Sequence, residues 1–285
     1  MRSVLTLLFI SLFLQPATAQ PYLPNAAYVR PLSLQDSLLV TRYLDSVNNA
    51  PDFSRTRKKY YDSALAIKPW RASWWQQRGM ILMKQGRYEA GMRFLDSAVK
   101  YDCRRYIGYR AFMKCIFQKS YRAAIQDFVL AKSVVGAGEV MDHTYDFYIG
   151  LSYLMLDELD SARNYLIATI NEQQKARGEN YVHPTDLFYL AITYYDSEDF
   201  ATALTVFDRC LRQYKNFSDA EYYKAFCLKR LNRGDEALAV LVSAESDFKQ
   251  RYTINEDNVI HEWYPHQIYR QENYDNALKW MRGQQ

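Results

Sequence analysis

Glycine and proline are scarce in this chain. Its 285 residues include only Gly 10 and Pro 8. A fold of many short strands and tight turns needs more of both, so long helices are favoured. Histidine is scarcer still, with four residues, which limits metal sites and acid–base pairs. No G-x-S-x-G, P-loop or Gly-rich dinucleotide fingerprint is present. An excess of one charge is missing too. The formal net charge is +4, and the densest basic run is Arg55–Lys59, so neither nucleic acid nor an anionic membrane is implied as a partner. Aromatic residues, by contrast, are abundant at 15%, with Tyr 25.

Long apolar runs are absent apart from one at the start. Val4–Leu14 (VLTLLFISLFL) is uncharged and follows Arg2. Pro16 breaks it, and Ala17-Thr18-Ala19 supplies a small-x-small site. This reads as a secretory signal peptide over 1–19, cut after Ala19. The run is well short of the ~20 residues that span a bilayer. No Cys follows it, so a lipid anchor is not expected. The mature chain from Gln20 is expected to be exported, periplasmic or secreted, without a membrane span. Residues 20–31 carry three Pro and read as an extended arm.

The rest of the chain repeats. In YEAGMRFLDSAVKYD (Tyr88–Asp102), Tyr88, Gly91, Leu95 and Ala98 share one helical face. Ala124, Phe128 and Ala131 repeat the pattern. So do segments around Ala162, Ala203, Ala237 and Ala277. A second small residue lies twelve positions upstream, at Gly79, Gly150, Ala191 and Ala225. Glycine inside a helix costs about 1 kcal/mol relative to alanine. A helix accepts that cost where another backbone must come close. Asp62-Ser63-Ala64 also matches Asp96-Ser97-Ala98, an Asp-Ser recurrence read as helix register rather than as a glycosylation signal.

These positions resemble the tetratricopeptide repeat family. Trp75, Gly79, Tyr88 and Ala98 fill its pattern, with Cys103 where proline is usual and Pro69 at that place one unit earlier. Arg78 stands where the family has Leu. The resemblance runs from about Ser33 to the C-terminus. It implies an all-α, right-handed solenoid of stacked antiparallel helix pairs in one repeat domain, 32–285. About seven pairs are expected. The outer two are degenerate: Ser33–Val47 with Asp52–Ile67, and Glu256–Trp280. Gly136–Val140 and Asn171–Pro184 read as long loops, and Ser33 with Asp36 as a capping-box-like start.

The resemblance also places the first helices of successive units along a concave groove. Its residues here would be Gln76, Met80, Met83, Phe147, Leu151, Leu154, Phe188, Ile192, Tyr195, Tyr222, Phe226 and Lys229. That set lacks the Lys, Asn and Arg of the family's carboxylate clamp. An apolar, aromatic wall suits a hydrophobic protein or peptide segment. It equally suits side chains that pack on one another or on the arm 20–31. The expected function is a non-catalytic exported scaffold for a protein partner, in a bacterial envelope, with no cofactor. The alternative is a glycan binder that stacks sugars on Trp74, Trp75, Trp263 and Trp280.

A metal-dependent hydrolase on His261, Glu262 and His266 is disfavoured. HEWYPH is one residue too long for the H-E-x-x-H helix, and Pro265 interrupts it. The four cysteines allow two readings. Cys103 with Cys115, and Cys210 with Cys227, lie on neighbouring helices and would form staples in an oxidising compartment. Otherwise all four are small buried apolar groups.

Overall fold

The computed structural model describes residues 29–256 and 258–283. The leader at 1–19, and the arm as far as residue 28, lie outside them. Thirteen α-helices follow: α1 Leu34–Asn49, α2 Arg55–Ile67, α3 Ala72–Met83, α4 Tyr88–Tyr101, α5 Cys103–Phe112, α6 Tyr121–Val135, α7 Tyr145–Leu154, α8 Leu159–Arg177, α9 Pro184–Asp196, α10 Phe200–Gln213, α11 Ser218–Arg230, α12 Gly234–Lys249 and α13 Gln271–Met281. A π-turn, Met113–Phe117, prolongs α5. Odd and even helices pair from α1·α2 to α11·α12, and each pair packs on the next. This is an all-α solenoid.

Small residues set the pairing distance. A Cβ on Gly79 would stand 3.0 Å from the Gly91 carbonyl oxygen. One on Gly91 would meet Met83 Cγ at 2.9 Å and the Gly79 carbonyl at 3.1 Å. Gly150 meets Leu166 and the Ala162 carbonyl in the same way. The α3–α4 crossing therefore has no room for a side chain at Gly91. A Gly91→Leu variant is expected to lose about 1–3 kcal/mol or more by overpacking. Its melting temperature should fall, and an unchanged one would show that this crossing tolerates bulk.

The turn within each pair bends through a left-handed residue: Phe53, Gly86, Lys119, Asp157, Glu198 and Asn232. Only one of them is glycine, which is how a solenoid with so many turns manages on so little of it. Between pairs runs a repeated ion pair. Asp62 meets Arg78 at 2.8 Å, Asp96 meets Arg110 at 2.8 Å, and Asp208 meets Lys224 at 2.7 Å. Arg78 thus departs from the family's Leu in order to reach back to the preceding unit. The recurring Asp of Asp-Ser-Ala is its partner.

Two expectations change, and of the two cysteine readings the buried one holds. The last pair has one helix, α13, because residues 250–256 and 258–270 run as turns and irregular chain where a first helix belongs. The two long loops are more ordered than expected. β1 (Glu139–Val140) and β2 (His143–Thr144) pair antiparallel, and α8 continues to Arg177. The cysteines are four separate buried free thiols. Cys115 accepts a hydrogen bond from Ser152 Oγ at 3.4 Å, and Cys210 donates one to the Pro184 carbonyl at 3.2 Å. Among the described residues no helix is long and apolar enough to cross a membrane.

Candidate functional site

The wall made by the first helices is not an open groove. Phe147, Leu151, Phe188 and Ile192 are fully buried, and Met83 and Leu154 nearly so. Gln76, Met80, Tyr195, Tyr222, Phe226 and Lys229 are half-buried. What covers much of this wall is the chain itself. The irregular segment 252–268 crosses α11, α9 and α7 and reaches the turn between α5 and α6. Ile254 and Tyr264 sit in the same core cluster as Phe147 and Phe188.

Hydrogen bonds to its backbone hold the segment in place. The Ser218 amide donates to the Tyr252 carbonyl at 2.8 Å. The Tyr189 hydroxyl donates to the Pro265 carbonyl at 2.9 Å, and Tyr223 to the His266 carbonyl at 3.2 Å. Lys119 Nζ donates to the Trp263 carbonyl at 2.7 Å. Asp219, fully buried at the start of α11, clamps both ends. Its Oδ2 accepts from the Ile254 amide at 2.9 Å and from Thr253 Oγ1 at 2.5 Å, and its Oδ1 from the Ile268 amide at 2.6 Å. Burial pushes this carboxyl up to about 6, while those three donors limit the rise, so it is an anion at neutral pH.

A second clamp is ionic. His143, on β2, stacks on Phe147 with ring centroids 3.9 Å apart. Its Nδ1 lies 2.7 Å from Asp186 Oδ1 of α9, and its Nε2 lies 3.1 Å from Glu256 Oε1 of the segment. Thr185 Oγ1 donates to the same Glu256 oxygen at 2.8 Å, and Gln173 Nε2 to Asp186 Oδ2 at 2.5 Å. Burial alone would lower the imidazole's pKa. The two carboxylates outweigh it and raise the value to about 10, so His143 is a buried cation. Burial likewise pushes Glu256 up, and contact with His143 more than reverses this.

His143, His183 and Asp186 are also, among the described residues, the group whose side-chain geometry could hold a metal ion. His183 Nδ1, however, accepts the Thr185 amide at 3.3 Å, which leaves the ring proton on Nε2. Burial and the neighbouring His143 charge keep His183 neutral. The trio fits an ion-paired latch better than a ligand set.

HEWYPH belongs to the segment and is not helical. Glu262 bonds the Tyr88 hydroxyl and lies 3.6 Å from Lys119 Nζ, while His266 faces Asp196 at 3.6 Å. His261, Glu262 and His266 therefore serve different neighbours. Of the aromatic candidates, Trp75 is pinned to the Pro69 carbonyl at 2.6 Å and Trp74 packs beside Val47 and Tyr61. Trp263 is 48% and Trp280 49% exposed. Trp263 stacks on Tyr269 at 4.8 Å, and Ile260 is 80% exposed.

Comparison with known proteins agrees with this architecture. A tetratricopeptide-repeat family model matches residues 187–216, which span most of α9 and all of α10. No curated protein sequence matches the chain. A tetratricopeptide repeat protein from Parabacteroides merdae superposes with a TM-score of 0.57 at 13% identity, covering 88% of this chain and 100% of that one. PilW, a type IV pilus biogenesis factor, gives 0.57 at 13% identity, covering 76% and 96%. MamA from Desulfovibrio magneticus gives 0.52 at 11% identity, covering 63% and 96%. Identities this low speak to fold alone. Residues 187–216 thus match a tetratricopeptide repeat, and the chain has the fold of tetratricopeptide-repeat proteins.

Proposed function

We propose that this protein is a non-catalytic scaffold for a protein partner, exported by its N-terminal leader. One observation carries the reading: Asp219, Tyr189 and Tyr223 of the first helices, with Lys119 from the α5–α6 turn, hold an irregular polypeptide segment by its backbone. That is the chemistry of peptide recognition, used here on the chain's own segment. The middle of the wall, with Phe147 and Phe188, then serves to seat 252–268, while Tyr222, Phe226 and Lys229 meet Tyr274, Trp280 and Met281 of α13. The partner meets the outer face of that segment, where Ile260 and Trp263 are exposed, with Tyr269 just beyond its end. PilW, named as a pilus biogenesis factor, shows the same fold in a protein of assembly. The stacked, exposed Trp263–Tyr269 pair also keeps a glycan-binding reading in view.

Photo-crosslinking in the native host separates these readings. Probes at Ile260 and Trp263 are expected to capture one discrete protein. Probes at buried Phe188 and at exposed Arg212 should not. Oligosaccharides that quench tryptophan emission, without any protein adduct, would replace the scaffold with a glycan binder.

A further inference from the structure

The basic run Arg55–Lys59 has no part in the segment or its wall. It borders a cleft of about 960 Å³ between α2 and α4, floored by α3. Arg55, Lys58 and Lys59 line it from α2, Arg87 and Arg93 from the α4 side, and Arg78 from the floor. Asp62 is the one carboxylate among the lining residues. The cleft thus concentrates more positive charge than the whole chain's formal net +4. Among the described residues, no ion pair occupies Arg55, Lys58, Lys59, Arg87 or Arg93. The α3 face involved is that of Trp75, Arg78 and Leu82. The expected groove residues Gln76, Met80 and Met83 are not part of the lining.

Arg78 is the decisive residue. It is only 9% exposed. Its Nε and Nη2 bind Asp62 at 2.8 and 3.2 Å, and its guanidinium lies 4.4 Å from the Phe94 ring centroid. Its Nη1 is buried with no hydrogen-bond partner. A buried charged donor without an acceptor is costly, and an oxyanion arriving in the cleft would satisfy it. Around it, Trp75, Leu82, Ala66, Ala90 and Phe94 give an apolar bed.

We infer that this cleft is a docking site for an extended acidic segment of another polypeptide. Its shape selects the class. The lining on α2 runs from Arg55 to Ala66, roughly 16 Å at ~1.5 Å per residue. That matches about five residues of extended chain at ~3.3 Å each. Carboxylates meet the cationic rim, one of them reaches Arg78 Nη1, and apolar side chains take the bed. A single small oxyanion would leave most of the rim unused. The site stands on the charge and geometry of the first two helix pairs and does not depend on the outer face of 252–268.

Fluorescence anisotropy on the full chain tests it. The probes are a short labelled peptide of glutamate and leucine and its glutamine counterpart, with inorganic phosphate and pyrophosphate as competitors. The acidic peptide is expected to bind, more weakly as salt rises, and the glutamine peptide is not. Arg87→Glu with Arg93→Glu, both on the surface, should weaken binding about tenfold or more. Arg78→Met should weaken it as well. Arg212→Glu with Lys215→Glu, the same charge change elsewhere, should leave it intact. Equal weakening in both double variants, or no binding of the acidic peptide, would overturn the site. Phosphate or pyrophosphate displacing the peptide as effectively as unlabelled peptide would overturn the polypeptide assignment.

Discussion

A His143→Leu variant is expected to lose about 3–5 kcal/mol of stability, because it strands two buried carboxylates without their cation. Asp186 is fully buried and Glu256 nearly so, and both lean on the imidazole. The loss belongs to the unpaired charges more than to the missing ring. Neutralising them as well, with Asp186→Asn and Glu256→Gln, should therefore recover much of it. Urea unfolding of the single and triple variants gives the comparison. A triple variant no better than the single would assign the effect to the lost Phe147 stacking instead.

The same latch has a pH signature. His143 is raised from 6.5 to about 10 on folding. Its contribution is complete below about pH 6.5 and fades as the pH rises through about 10. Glu256 is lowered from 4.5, so its contribution is present above that value and fades as the pH falls through the depressed one. The latch is fully made between about pH 4.5 and 6.5 and largely kept at neutrality. Wild-type stability should decline from pH 6.5 toward 10 by a component missing from His143→Leu. Parallel profiles for the two proteins would contradict a charged His143.

The repeat was legible because it is a local pattern. Gly79 and Gly91 face each other as their spacing required, and Ser33 caps α1 through the Asp36 amide at 3.0 Å. Arg78 looked like a defect in the motif because its partner, Asp62, belongs to the preceding unit. The segment 252–268 was not legible, since irregular chain has no period. The phrase HEWYPH even suggested a helix, which the turn at Tyr264–His266 rules out. The latch joins residues 143, 186 and 256, far apart in sequence and without a shared motif. The available signal was weak: Asp186 and Asp219 stand near the starts of otherwise apolar or aromatic helix faces, where a buried carboxylate needs a partner. The expected groove residues lie on the first helices of their pairs, but periodicity cannot distinguish a wall awaiting a partner from one already covered.

An Asp219→Ala variant is expected to release the segment. The substitution removes the acceptor of three donors at once, the Ile254 and Ile268 amides and the Thr253 hydroxyl. Each hydrogen bond to a charged group contributes about 1.5–3 kcal/mol, and the orphaned amides add their own cost where they stay buried. The chain avoids that cost by letting water reach them, which means lifting both ends of 252–268 off α11. Up to about 4.5–9 kcal/mol of local stability should go with the three bonds, while the α3–α10 pairs keep their own packing. Trypsin at Arg251 and Arg270, both exposed, reports the release. Wild type should resist cleavage there and the variant should not, with helical circular dichroism nearly unchanged. Uncut variant would mean that the His143 latch and the buried Tyr264 hold the segment without Asp219. Collapse of the helical signal would mean that segment and solenoid fold as one unit. Clean release would leave a separable wall around Phe188 and Tyr222. The crosslinking probe at Phe188, silent in wild type, should then capture a polypeptide in the variant.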